Sequence, residues 1–271
     1  MFLQIVWMLF ALLLLMFGAQ YVRYLPCWGV FLMLALAGWP FWQYRTEYLL
    51  FRRQLVLNGV MQPGSRIRKV FWKGSLMRAW QVAVALLLAA VLLAFLARLD
   101  VYHWLILVID VPVIILVHAL ASRQLRASVR SEYRGIVARR WPVLVVNGLL
   151  LTLAFMLIDF FLVGVVDTRS FSWQELAGSS FLGNLHASDC LLWGVLSGAV
   201  ASLEMLSWHG SQLLIPGLPD LNMQYIAWAA FLIRAATVAW LYTTLLLGVT
   251  SLLERRAAGR PAGTPGNTSS L

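Results

Sequence analysis

Charge is what this chain has least of. Only 12% of its 271 residues are Asp, Glu, Lys or Arg, about half the share of an average soluble domain, and lysine occurs only at Lys69 and Lys73. So little ionic surface excludes an ordinary soluble domain, which must present groups that water can hydrate. Cysteine is equally scarce, two in all, which excludes a disulfide-built scaffold and a cysteine metal cluster. Also missing are a GxxxxGK[ST] phosphate loop, an HExxH helix and a GxSxG turn. The chain is therefore read as non-catalytic, with no cofactor and no metal.

What is present is hydrocarbon. Apolar residues make up 61% of the chain and come in blocks long enough to cross a membrane core of roughly 30 Å, which takes about 18 residues or more of helix. Such blocks cover 2–18, 25–42, 80–97, 101–120, 142–166 and 225–253. The expected fold is an all-α integral membrane protein with six transmembrane helices. No Lys or Arg precedes the first block, so it reads as a retained helix and not as a signal peptide.

The linkers sort by charge. Of the 21 basic residues, 17 fall in the segments 44–78 and 121–141 and in the tail 254–271, and three (Arg23, Arg98 and Arg169) fall in the others. Basic loops stay on the cytoplasmic side, so both termini are expected inside and 167–224 forms an outer loop. The formal charge of +10 is then a topological signal with anionic lipid headgroups as its counter-charge, and nucleic acid is not expected as a partner. The same bias, with Arg far above Lys, suits a bacterial cytoplasmic (inner) membrane. The tail, rich in Gly, Pro, Ser and Thr, reads as disordered.

One apolar run is short. Cys190 to Leu203 lies between Asp189 and Glu204, a length expected of a re-entrant or interfacial helix on the outer side. Its Gly194 and Gly198 are spaced to admit another helix closely, or fall so by chance. Cys27 and Cys190 are both expected outside, where a disulfide is permitted. His186, Asp189, Cys190, Glu204 and His209 gather in this loop, but their spacing matches no zinc pattern.

Three ionisable residues fall inside the blocks: Asp110, Asp159 and Arg234. Counted from the outer boundary at 1.5 Å per residue, all lie roughly 10 to 14 Å deep. The expectation is one buried cluster in which Arg234 bridges the two aspartates, binding a small ion or solute or acting as a static knot. Pro112 frees a carbonyl near Asp110, and His118 either extends a proton path or simply packs. The two basic loops echo each other: Arg45 and Glu47 with Arg52 and Arg53, then Arg130 and Glu132 with Arg139 and Arg140. These residues are candidates for docking a cytoplasmic partner. Two functions are open, a carrier or channel-like subunit, and a scaffold or assembly subunit of an envelope, secretion or transfer complex.

Overall fold

The computed structural model describes residues 2–60, 75–129, 131–162, 167–217 and 221–257, and these are all-helical, with no strand among them. The helices are α1 (Phe2–Tyr21), α2 (Cys27–Val60), α3 (Ser75–Leu96), α4 (Val101–Gln124), α5 (Ser131–Ala138), α6 (Leu144–Phe161), α7 (Trp173–His186), α8 (Leu191–Gly217) and α9 (Leu221–Ala257).

Local chemistry sets several boundaries. Leu25 is extended, as a residue before proline prefers, and the Pro26 carbonyl then accepts from the backbone N–H groups of Gly29 and Val30 to open α2. Between α5 and α6 the chain makes a π-helical stretch, Arg139–Val143, around Pro142, whose missing N–H interrupts the α ladder. α7 opens on a capping box. The Ser172 hydroxyl accepts from the Glu175 N–H while the Glu175 carboxylate accepts from the Ser172 N–H, so two orphan donors are satisfied at once.

Among the described residues five helices are long and apolar enough to cross a membrane, within Gln4–Tyr24, Met77–Leu96, Val101–Gln124, Leu191–Leu213 and Leu232–Glu254. Four coincide with the expected blocks 2–18, 80–97, 101–120 and 225–253. The expected spans 25–42 and 142–166 fall mostly within α2 and α6, neither of which is among the five, and the apolar helix Leu144–Asp159 in α6 is shorter. The short segment expected at 190–203 needs correcting. α8 continues through Glu204 to Gly217, because Glu204 is paired with two arginines and does not have to end the helix in water.

The helices α1, α2, α3, α4 and α6 pack around α9 and one another. Every residue from Leu241 to Val249 in α9 is buried, whereas Phe10, Phe17, Leu105, Ile109 and Leu149 turn outward. α9 comes close to α2 where Gly248 meets Pro40: a Cβ at Gly248 would collide with the Pro40 carbonyl, so only glycine permits this approach.

Cross-links order the ends. At one end Cys27 and Cys190 form a disulfide, the Asp189 N–H donates to the Arg23 carbonyl, and Arg98 pairs with Glu204. At the other, Arg139 joins Glu47 of α2 to Glu254 of α9. α7 folds back on α8. A Cβ at Gly194 would lie 3.0 Å from the Leu185 carbonyl oxygen and one at Gly198 2.9 Å from that of Phe181, and one turn on, the Ser202 hydroxyl donates to the Ala177 carbonyl at 2.8 Å. The spaced glycines thus face α7, and small residues every four positions let the two backbones approach. The expected tail begins within α9, which runs to Ala257; residues 258–271 lie outside the described residues.

Candidate functional site

Polar side chains inside the bundle fall into three levels. The level nearest the disulfide is a chain of ions. Glu204 of α8 pairs with Arg98 after α3 and, at 2.7 Å, with Arg234 of α9. Arg234 in turn lies 3.5 Å from Asp159 of α6, and Asp159 accepts from His103 Nε2 of α4 at 3.1 Å. The His103 ring also stands edge-on to Phe155, 5.0 Å between centroids. A carboxylate can only accept here, so Nε2 carries the hydrogen and fixes the tautomer. Two guanidinium groups face two carboxylates, and the level is neutral when His103 is neutral.

The middle level holds Asp110 of α4, 6% exposed. Its Oδ2 accepts from Asn147 Nδ2 of α6 at 3.1 Å, and the same nitrogen lies 3.2 Å from the Thr243 hydroxyl of α9. Next to it the Tyr242 hydroxyl donates to the Leu107 carbonyl at 2.7 Å. Among the described residues no cation pairs with Asp110. Asn147 is fully buried with its Oδ1 unpartnered.

The expected single cluster is therefore corrected. Asp159 and Arg234 meet, but Asp110 does not join them; Arg234 spends its second contact on Glu204. The reason is register. His103, not Asp110, is level with Asp159, and Asp110 lies two turns further along α4, roughly 10 Å deeper. Glu204 reaches the same level because α8 folds over the end of the bundle, a return that residue counting along one helix cannot register.

The third level lies at the opposite end. Arg139, 3% exposed, pairs with Glu47 at 3.0 Å and with Glu254, and Glu47 also accepts from the Ser251 hydroxyl. Arg140 lies over the Tyr48 ring at 3.8 Å, and Arg45 donates to Gln81 at 2.8 Å. The candidate docking residues are thus partly consumed in holding the two basic segments together: Arg139, Glu47, Arg140 and Arg45 have internal partners, Arg53 is engaged, and Arg52 is exposed. Arg130 and the Glu132 side chain lie outside what the structure describes. His118 of α4 is near this level, within electrostatic reach of Glu254 and Arg139, with its Nε2 buried and unpartnered.

A cavity of about 310 Å³ opens at the disulfide end, lined by Gln20, Arg23, Arg98, Asn184, Trp193 and Ser197 among others. None of the Asp110 group lines it. Sequence reasoning missed His103, Asn147 and Tyr242, and named Glu204 only among the metal-ligand types of the outer loop. Two had a signal: Asn147 is a lone amide in an apolar run, and His103 precedes Asp110 by two helical turns on one face. No family model, no curated protein and no solved structure matches the chain.

Proposed function

We propose that this chain is a structural subunit of a membrane assembly, built of six crossing segments (α1, α2, α3, α4, α6 and α9) and carrying the α7–α8 hairpin as a fixed platform at the outer surface. The observation behind this is how its buried ions are used: the arginines and carboxylates of both end levels are taken up in ties between helices. A buried ion pair adds little net stability but fixes register, which is what a frame requires.

The path of α8 supports the platform. Cys190 bonds the start of α2, Glu204 pairs with Arg98 just beyond α3, and His209 Nδ1 lies 3.1 Å from the Thr168 carbonyl, in the loop beyond α6. These contacts spread over roughly 28 Å of helix, yet all belong to one end of the bundle, so α8 lies across that end in the membrane interface. Its exposed Leu191, Leu192 and Leu203 suit that depth. The orientation follows from two independent facts: a disulfide needs an oxidising compartment, and the basic segments lie at the opposite end. Both argue for the termini inside and the disulfide end outside, an orientation that fits the expected bacterial cytoplasmic membrane.

Trp173 and Leu182 of α7, with Phe171 just before it, are exposed and are the apolar side chains the hairpin offers to a partner protein. Photo-crosslinkers at Trp173 and Leu182, with one at outward-facing Leu149 as control, test this in native membranes. A discrete protein adduct from the hairpin positions, absent from Leu149, is expected; adducts to lipid alone at all three refute the platform. The alternative, a carrier, keeps one supporting observation, the unpaired carboxylate of Asp110.

A further inference from the structure

We propose that α4 carries a proton-transfer line, with His103, Asp110 and His118 as its three stations, so that the frame also passes protons. The three residues are seven and eight positions apart, which places them within an arc of roughly 80° on one helix face at steps of about 10 and 12 Å. The face points into the bundle. Asp159 of α6, with Arg234 of α9 and Glu204 of α8 behind it, surrounds His103; Asn147 of α6 with Tyr242 and Thr243 of α9 surround Asp110; Glu254 and Arg139 stand near His118.

At the stations themselves, His103 Nδ1 and His118 Nε2, with Asn147 Oδ1 beside Asp110, are buried with no hydrogen-bond partner among the described residues, in a molecule whose buried polar groups should be satisfied. Steps of 10 to 12 Å need relays between the stations, and polar atoms of this kind are those that internal water bonds to. The Tyr242 hydroxyl, which donates to the Leu107 carbonyl between His103 and Asp110, is a further polar group to which such water can bond. A metal ion at Asp110 would call for converging oxygens. Instead Asn147 turns its N–H, not its oxygen, toward the carboxylate, a contact that suits a carboxylate able to accept a proton and supplies no oxygen to a metal ion.

The transfers balance simply. His103, whose Nε2–H is held by Asp159, takes a proton at Nδ1 and releases it from the same nitrogen to the Asp110 carboxylate. The neutral carboxyl then gives it up to Nε2 of His118, whose Nδ1–H passes to water at the basic end, while water at the disulfide end supplies the next proton to His103. Each transfer breaks one N–H or O–H bond and forms another, through the relays.

The test uses the full chain in liposomes containing a pH-sensitive dye, with the membrane potential set by potassium and valinomycin and sodium replaced by choline. Dye response to the imposed potential, slower in D2O, is the expected result. Asp110→Asn should abolish it, and His118→Gln, outside the paired outer level, should slow it about a hundredfold, a modest loss for a positioned proton-transfer group. No proton movement by protein that elutes as a folded species overturns the inference and leaves the structural role standing. Flux that needs sodium, is unchanged in D2O and survives His118→Gln overturns it as well, by assigning Asp110 to a metal ion.

Discussion

Removing Arg234 is the sharpest probe of the level nearest the disulfide. Arg234→Leu keeps the bulk of the side chain and deletes the cation between Glu204 and Asp159. Glu204 retains Arg98, so the loss falls on Asp159, whose remaining partner is His103. The three side chains are 15%, 12% and 6% exposed for Arg234, Glu204 and Asp159, too little for water to replace the missing charge. Breaking a buried pair costs about 3–5 kcal/mol, and the surviving Arg98 contact puts this case near the low end, about 3 kcal/mol. At roughly 2–4 °C per kcal/mol for a chain of this size, the variant should lose about 6–12 °C, measured as the temperature at which the detergent-solubilised protein leaves its size-exclusion peak. Asp159→Asn removes the charge that Arg234→Leu strands, so the double variant should melt higher than Arg234→Leu alone. A double variant that is no more stable than the single one refutes the ion chain.

Three further outcomes follow. Replacing Cys27 with Ser removes a cross-link between residues 163 apart in sequence and should cost about 2–5 kcal/mol; in the unaltered protein, alkylation should add mass only after reduction, and labelling without reductant refutes the disulfide. Gly198→Leu forces a side chain against the Phe181 carbonyl and should destabilise by about 1–3 kcal/mol as an overpacked contact, whereas Gly148→Ala, with nothing within 4 Å of the new Cβ, should be neutral or slightly stabilising in the same melting assay. Hydrogen bonds from Ser172 hold the Glu175 carboxyl below its ordinary range, so the cap stabilises α7 above the unfolded value of 4.5 and is lost as pH falls through the lower folded value; amide exchange at 173–176 should quicken over that window, and Ser172→Ala should abolish the dependence.

The candidate site was half legible. Asp110, Asp159 and Arg234 stood out because an ionisable side chain in hydrocarbon must be paired or functional, and depth counting placed Asp159 and Arg234 together. It failed for Asp110 because depth along separate helices does not give rotation or register between them. Glu204 stayed hidden for another reason: assigned to an outer loop, it was counted with the solvated acids, although folding brings it into the bundle. The basic segments were read as open surfaces because charge in loops usually faces water, yet Arg139 is closed between Glu47 and Glu254.

By itself the sequence determined that the chain is helical and apolar enough for a membrane, and where most of its long helices run, because hydrocarbon length and the need to satisfy every backbone group leave few alternatives. It also determined which residues are costly to bury. Only the tertiary structure decided which of them meet. Pairing depends on helix rotation, on the close approaches that Gly194, Gly198 and Gly248 allow, and on the return of α8 over the end of the bundle. These are relations between segments far apart in the chain, on which the period and composition of a single helix carry no information.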